Sequence, residues 1–162
     1  MIQIDFIEKE TDMIRSAVLS FILALALLVA GCVAIPTKNE PAAYTQALVQ
    51  DAIRLYGQDG RQAAIEHYSS TENVDGQWYV FIIGGDGYTV AHHNPEMIGR
   101  DPALRVDVTG YFYGDDILSA TETGKWVSYV FNNPDTGEET RKHAWVVRHD
   151  GLFFGSGWYN EK

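Results

Sequence analysis

Gln77-Trp78-Tyr79-Val80-Phe81-Ile82-Ile83 is apolar at nearly every position, and Gly84-Gly85-Asp86-Gly87 turns it back into residues 88–92. Aromatic and β-branched side chains suit a pleated surface, so the stretch predicts a strand. Successive strand residues point to opposite sides, and here neither side is polar, so the strand needs cover on both. Further strands are predicted over residues 125–131, 140–148 and 152–159. The turns between them, Asn133-Pro134-Asp135-Thr136-Gly137 and Asp150-Gly151, are hairpin signals. Together these make a five-stranded antiparallel sheet.

The cover comes from two places. Pro41 suits the first turn of a helix, and Tyr44, Leu48, Val49, Ala52, Ile53 and Tyr56 follow as one apolar stripe. Gly57 is placed as its C-cap, and a second short helix is expected over residues 61–68, after Asp59-Gly60. Residues 94–121 are irregular, with Pro95, Gly99, Pro102 and Gly110, and end in a helical stretch near residues 116–121. The expected fold class is therefore α+β, with a long N-terminal helix on one sheet face and a loop and short-helix flap on the other. A concave pocket belongs between flap and sheet.

The start of the chain reads differently. Val29-Ala30-Gly31-Cys32 closes an apolar run over residues 17–30, and Cys32 is the single cysteine. Fourteen residues are too few to span a bilayer, which takes ~20, but suit a secretory signal. The pattern resembles the lipobox of bacterial lipoproteins, which implies cleavage before Cys32 and lipidation of its thiol. A signal peptide should begin with positive charge, yet residues 1–12 carry Asp5, Glu8, Glu10 and Asp12 against Lys9. Met13-Ile14-Arg15-Ser16 is the better start. The expected organisation is a signal peptide over residues 1–31, a lipidated tether over 32–40 and one domain over 41–162. The product would be extracytoplasmic and lipid-anchored to a membrane.

Without residues 1–31 the chain keeps 18 acids and 10 bases, a net charge near −8. Nucleic-acid affinity rests on Lys and Arg neutralising phosphate, so no nucleic-acid partner is expected.

Three stretches carry a resemblance to a known family. The first is Asp86-Gly87-Tyr88-Thr89-Val90-Ala91-His92 with Asn94-Pro95-Glu96-Met97-Ile98-Gly99-Arg100-Asp101. The second is Gly124-Lys125-Trp126-Val127-Ser128-Tyr129 followed by Asn133-Pro134-Asp135-Thr136-Gly137, and the third is Lys142-His143-Ala144-Trp145-Val146 through Gly155-Ser156-Gly157-Trp158-Tyr159. In this order they resemble the single Cache domain family of PAS-like extracytoplasmic sensors; His93 stands where the family pattern has proline. The resemblance implies a PAS-like sheet, a small-molecule ligand such as a short organic acid, and signalling through a membrane-bound receptor or kinase; no catalysis is expected from the residues themselves. With the chain stopping three residues after Tyr159, the expectation is a stand-alone Cache lipoprotein.

The candidate ligand-binding residues are His92, Arg100, Tyr111, Tyr113, Tyr129, Lys142 and Trp145, with Cys32 for lipidation. Lys142 matches a lysine of the family pattern and would pair with a carboxylate. Arg100 would add a bidentate contact, and tyrosines supply aromatic walls with hydroxyl handles. Lys142 and Trp145 have opposite parity, so their joint presence in one pocket requires a bulge or a sheet-edge site. The competing reading is a small lipid-anchored envelope enzyme or metal protein built on the histidines. No nucleophile elbow or phosphate-cradling loop supports it. His92 and His93, as strand neighbours, should face opposite sides, and local zinc spacings are missing. No cofactor or metal is expected.

Overall fold

A computed structural model describes residues 36–160. The expected signal peptide, the Met13 start, Cys32 and the first part of the tether lie outside the described residues. Helix α1 spans Pro41–Tyr68, with proline in its first turn where the missing N–H costs nothing. It runs through Gly57 and breaks at Gly60, whose φ of 87° and ψ of 172° leave the helical region. The break falls at the Asp59-Gly60 turn because Gly57 needs no special backbone angle and Gly60 does. Thr45, Val49, Ala52, Ala64 and Tyr68 form its buried side.

Five strands follow: β1 Val80–Ile83, β2 Thr89–Ala91, β3 Lys125–Asn132, β4 Glu139–His149 and β5 Leu152–Tyr159. They form one antiparallel sheet in the order β2-β1-β5-β4-β3. The β4–β5 hairpin turns on Asp150 (φ 48°) and Gly151 (φ 72°), the paired positive angles of a tight two-residue turn. In the β3–β4 turn Asn133 Oδ1 accepts the Asp135 N–H at 2.9 Å.

Alternation sorts the core into two clusters. Val80, Ile82, Leu152, Phe154 and Val147 pack under α1. Phe81, Ile83, Val127, Tyr129, Ala144, Val146, Phe153 and Tyr159 face the other way. That second face is covered by the segment between β2 and β3, as its apolar character demands. Asn94 and Asp101 accept the N–H groups of Glu96 and Ala103 and so cap the 3₁₀ turns Pro95–Met97 and Pro102–Leu104. Helix α2, Tyr113–Leu118, then buries Tyr113 and Ile117 against the sheet. It starts three residues before the expected position because the aromatic knot of residues 111–113 opens the helix with a buried tyrosine.

Candidate functional site

A cavity of about 30 Å³, measured as the space open to the centres of water-sized spheres, lies between the flap and the sheet, more than the ~10–15 Å³ that one water needs on that measure. Five of the seven expected residues line it: His92, Arg100, Tyr113, Tyr129 and Lys142. Tyr113 from α2 and Tyr129 from β3 stack with ring centroids 4.0 Å apart and planes within 5°. Burial raises both phenol pKa values, so both remain protonated hydroxyls.

Tyr111 and Trp145 lie elsewhere. The Tyr111 hydroxyl donates to Asp116 on the exposed side of the flap. β4 keeps an unbroken register with both neighbours, pairing Lys142 with Tyr159 and Trp145 with Ser156. No bulge forms, so only one of the two reaches the cavity. Trp145 sits on the α1 side, against the Trp126 ring at 4.9 Å.

Lys142 is the centre of the site. Its side chain is 1 % exposed, and Nζ donates to the Tyr79 hydroxyl at 2.7 Å. The aromatic faces of Tyr79 and Phe81 lie 3.9 and 5.2 Å from Nζ. Among the described residues no carboxylate is within ion-pair distance of it. Burial drives its pKa well below the ordinary lysine value.

Two glycines of β5 make room for this arrangement. A Cβ on Gly157 would lie 2.6 Å from the His143 carbonyl oxygen and 2.8 Å from Lys142 Cε. One on Gly155 would lie 2.2 Å from the Phe81 ring. The Gly155-Ser156-Gly157 stretch is thus the floor over which Phe81 and Lys142 extend, while Ser156 points away and donates to the Tyr79 carbonyl at 2.8 Å.

The histidines correct the parity argument. β2 ends at Ala91, so strand alternation no longer governs the next two residues. The His92 and His93 rings stack at 4.5 Å, both against Tyr79. His92 Nδ1 accepts the Asn94 N–H at 3.0 Å, which puts the ring proton on Nε2. Burial, then His93 and then Lys142 depress the His92 pKa to about 2, so the ring is neutral. Among the described residues no three His, Cys, Asp or Glu side chains converge as a metal site.

Sequence reasoning missed Tyr79, Thr89, Met97, Arg105 and Phe131, which also line the cavity. Arg105 is 3 % exposed and donates to the Gly87 carbonyl and to Thr89 Oγ1, tying the flap to the β1–β2 hairpin. The parity of residues 77–83 would have paired Tyr79 with Phe81 and Ile83. For Arg105 the signal is faint, a single arginine between Leu104 and Val106. Arg100 donates to the Leu104 carbonyl at 2.6 Å and contacts Met97 Sδ at 3.2 Å. Lys142, Arg100 and Arg105 therefore surround a small cavity whose lining has no acid. Its chemistry suits an anion.

Comparison with known proteins agrees with the fold. The family model described as "Single Cache domain 2" matches residues 45–159. No curated protein of similar sequence was found. Among solved structures, a methyl-accepting chemotaxis protein from Vibrio parahaemolyticus is 21% identical with a TM-score of 0.61, covering 75% of this chain and 87% of its own. The periplasmic sensor domain of a chemotaxis protein is 21% identical at 0.56, covering 72% and 88%. A Cache chemosensory domain, solved to explain its recognition of carboxylic acids, is 20% identical at 0.58, covering 72% and 91%. At these identities the likeness is one of fold.

Proposed function

Since the chain belongs to the single Cache domain 2 family, we propose that it is a sensor-type domain that binds a short organic acid in the Lys142 cavity. The observation that carries this is a buried amine with no counter-ion among the described residues, in a cavity lined by two further cations and, among those residues, no acid. An isolated charge is costly to bury, and a ligand carboxylate would supply the missing partner. One of the structural neighbours is a Cache domain studied for carboxylic acid recognition, which supports the same choice. The cavity between flap and sheet is small, which suits a short acid.

The test is a thermal-shift screen of short carboxylates, each beside its neutral amide. A ligand that binds only the native state raises stability by about 2.7 kcal/mol at a hundred times its Kd. The acids should stabilise and the amides should not. Equal shifts, or none with any acid, would remove the anion reading.

The domain is proposed to work outside the cytoplasm, tethered by lipid on Cys32 and passing its signal to a membrane partner. The Ala30-Gly31-Cys32 pattern supports this. A Cys32→Ser chain should lose lipid attachment. If it is still processed and membrane-bound, the lipoprotein reading is wrong.

A further inference from the structure

We propose that the Lys142 amine is a nucleophile that captures a small 2-oxo acid as an imine, a reading that rests on the cavity taking short organic acids. The hydrogen bonds around it are directional. Tyr159 donates its hydroxyl proton to the Asn132 carbonyl at 2.8 Å. Its oxygen then accepts from the Tyr79 hydroxyl at 3.2 Å, and Tyr79 accepts from Lys142 Nζ at 2.7 Å. Each hydroxyl proton is committed onward, so Lys142 only donates to Tyr79, and no neighbour uses the lone pair of the neutral amine. Aromatic rings of Tyr79, Phe81, Phe131 and Tyr159 surround Nζ, and among the described residues no carboxylate pairs with it. A lysine desolvated in an apolar pocket is the form that attacks carbonyls.

The step is balanced without oxidant or reductant. The Nζ lone pair forms a C–N bond to the carbonyl carbon, and the C=O π pair moves to oxygen. That oxygen takes a proton given up by nitrogen. Loss of the oxygen as water, with a second proton, breaks the C–O bond and leaves C=N. Arg100 lines the same cavity and would meet the acid's carboxylate. Such a site would prefer 2-oxo acids over plain acids of equal length, through a reversible bond rather than through charge alone.

The experiment incubates the full chain with pyruvate or with acetate, follows binding by calorimetry, then adds cyanoborohydride and maps the mass change. Pyruvate should leave the Lys142 peptide heavier by the mass of pyruvic acid less one oxygen, with the more exposed Lys38 and Lys125 peptides unchanged. Acetate, and the Lys142→Met chain with pyruvate, should give no adduct. Pyruvate that binds yet leaves Lys142 unmodified after reduction overturns the imine and leaves the organic-acid reading standing. Equal labelling of Lys38, Lys125 and Lys142 also overturns it. If neither acid binds, both readings fail.

Discussion

Asp107, in the flap, accepts the backbone N–H of Val130 on β3 at 3.0 Å. β3 is an edge strand, and its outward N–H groups have no strand to pair with. The same carboxylate accepts from the Thr109 hydroxyl and from the N–H groups of Thr109 and Tyr111. One side chain thus shapes the flap's loop and fastens it to the sheet beside Tyr129. The Thr109 hydroxyl, and then the Val130 N–H, hold its pKa at about 2. The folded value lies below the unfolded one, ~3.9, so this group adds stability above pH ~4 and loses it as pH falls towards 2. Asp107→Asn should melt below wild type at neutral pH, and the gap should close between about pH 4 and 2. A gap that stays constant down to pH 2 would show that the carboxylate is not the fastener.

Gly157 makes a sharper test of how the site is built. It has an ordinary backbone angle, so Gly157→Ala adds only a methyl group, aimed at the His143 carbonyl and the Lys142 stem. Overpacking of this kind costs typically 1–3 kcal/mol. A urea titration should show that loss, and the lysine displaced from Tyr79 should bind carboxylates more weakly. If stability and binding both match wild type, the glycine is not what lets Lys142 cross the sheet.

Much of this was legible in the chain. Period-two alternation placed Val127, Tyr129 and Phe131 on one face and needed no tertiary information. Hairpin chemistry placed the turns at Asn133–Gly137 and Asp150-Gly151. What alternation cannot reach is a residue just past a strand end, so the stacking of His92 on His93 was invisible. It also cannot say which irregular residues of a flap turn inward: Arg105 does and Tyr111 does not, because capping by Asp101 and Asp107 sets the loop. Trp145 was misplaced by treating adjacency in a motif as adjacency in space, although its parity against Lys142 already separated them.

Lys142→Met keeps the apolar stem and removes the amine. Burying a polar group without full partners costs free energy, so thermal stability should hold or rise. At 4 Å and an effective dielectric near 20, opposite charges attract by about 4 kcal/mol before desolvation. An affinity loss of at least tenfold, about 1.4 kcal/mol, is therefore expected for acetate. Calorimetry beside a melt separates the two effects. Unchanged affinity sinks the carboxylate reading, whereas a collapsed melt makes Lys142 a structural residue.

Binding of a plain acid should also move a proton. In the unliganded site, burial depresses the Lys142 pKa, and above that value the amine is neutral. A carboxylate beside it favours the charged form, so binding raises the pKa and draws in a proton from solvent. His92 is held neutral by burial and His93 is depressed in the same way. Arg100 and Arg105 face the same cavity; burial lowers the Arg105 pKa from its very high ordinary value, and Lys142 is the amine that titrates. Affinity for acetate should then fall as pH rises above the unliganded lysine's pKa, by up to about tenfold per pH unit. Calorimetry in phosphate and in Tris, whose ionisation enthalpies differ, should give unequal apparent enthalpies whose difference approaches one proton taken up. Equal enthalpies with an affinity flat across pH would mean that Lys142 is already charged before the ligand arrives, and the neutral nucleophile would go with it.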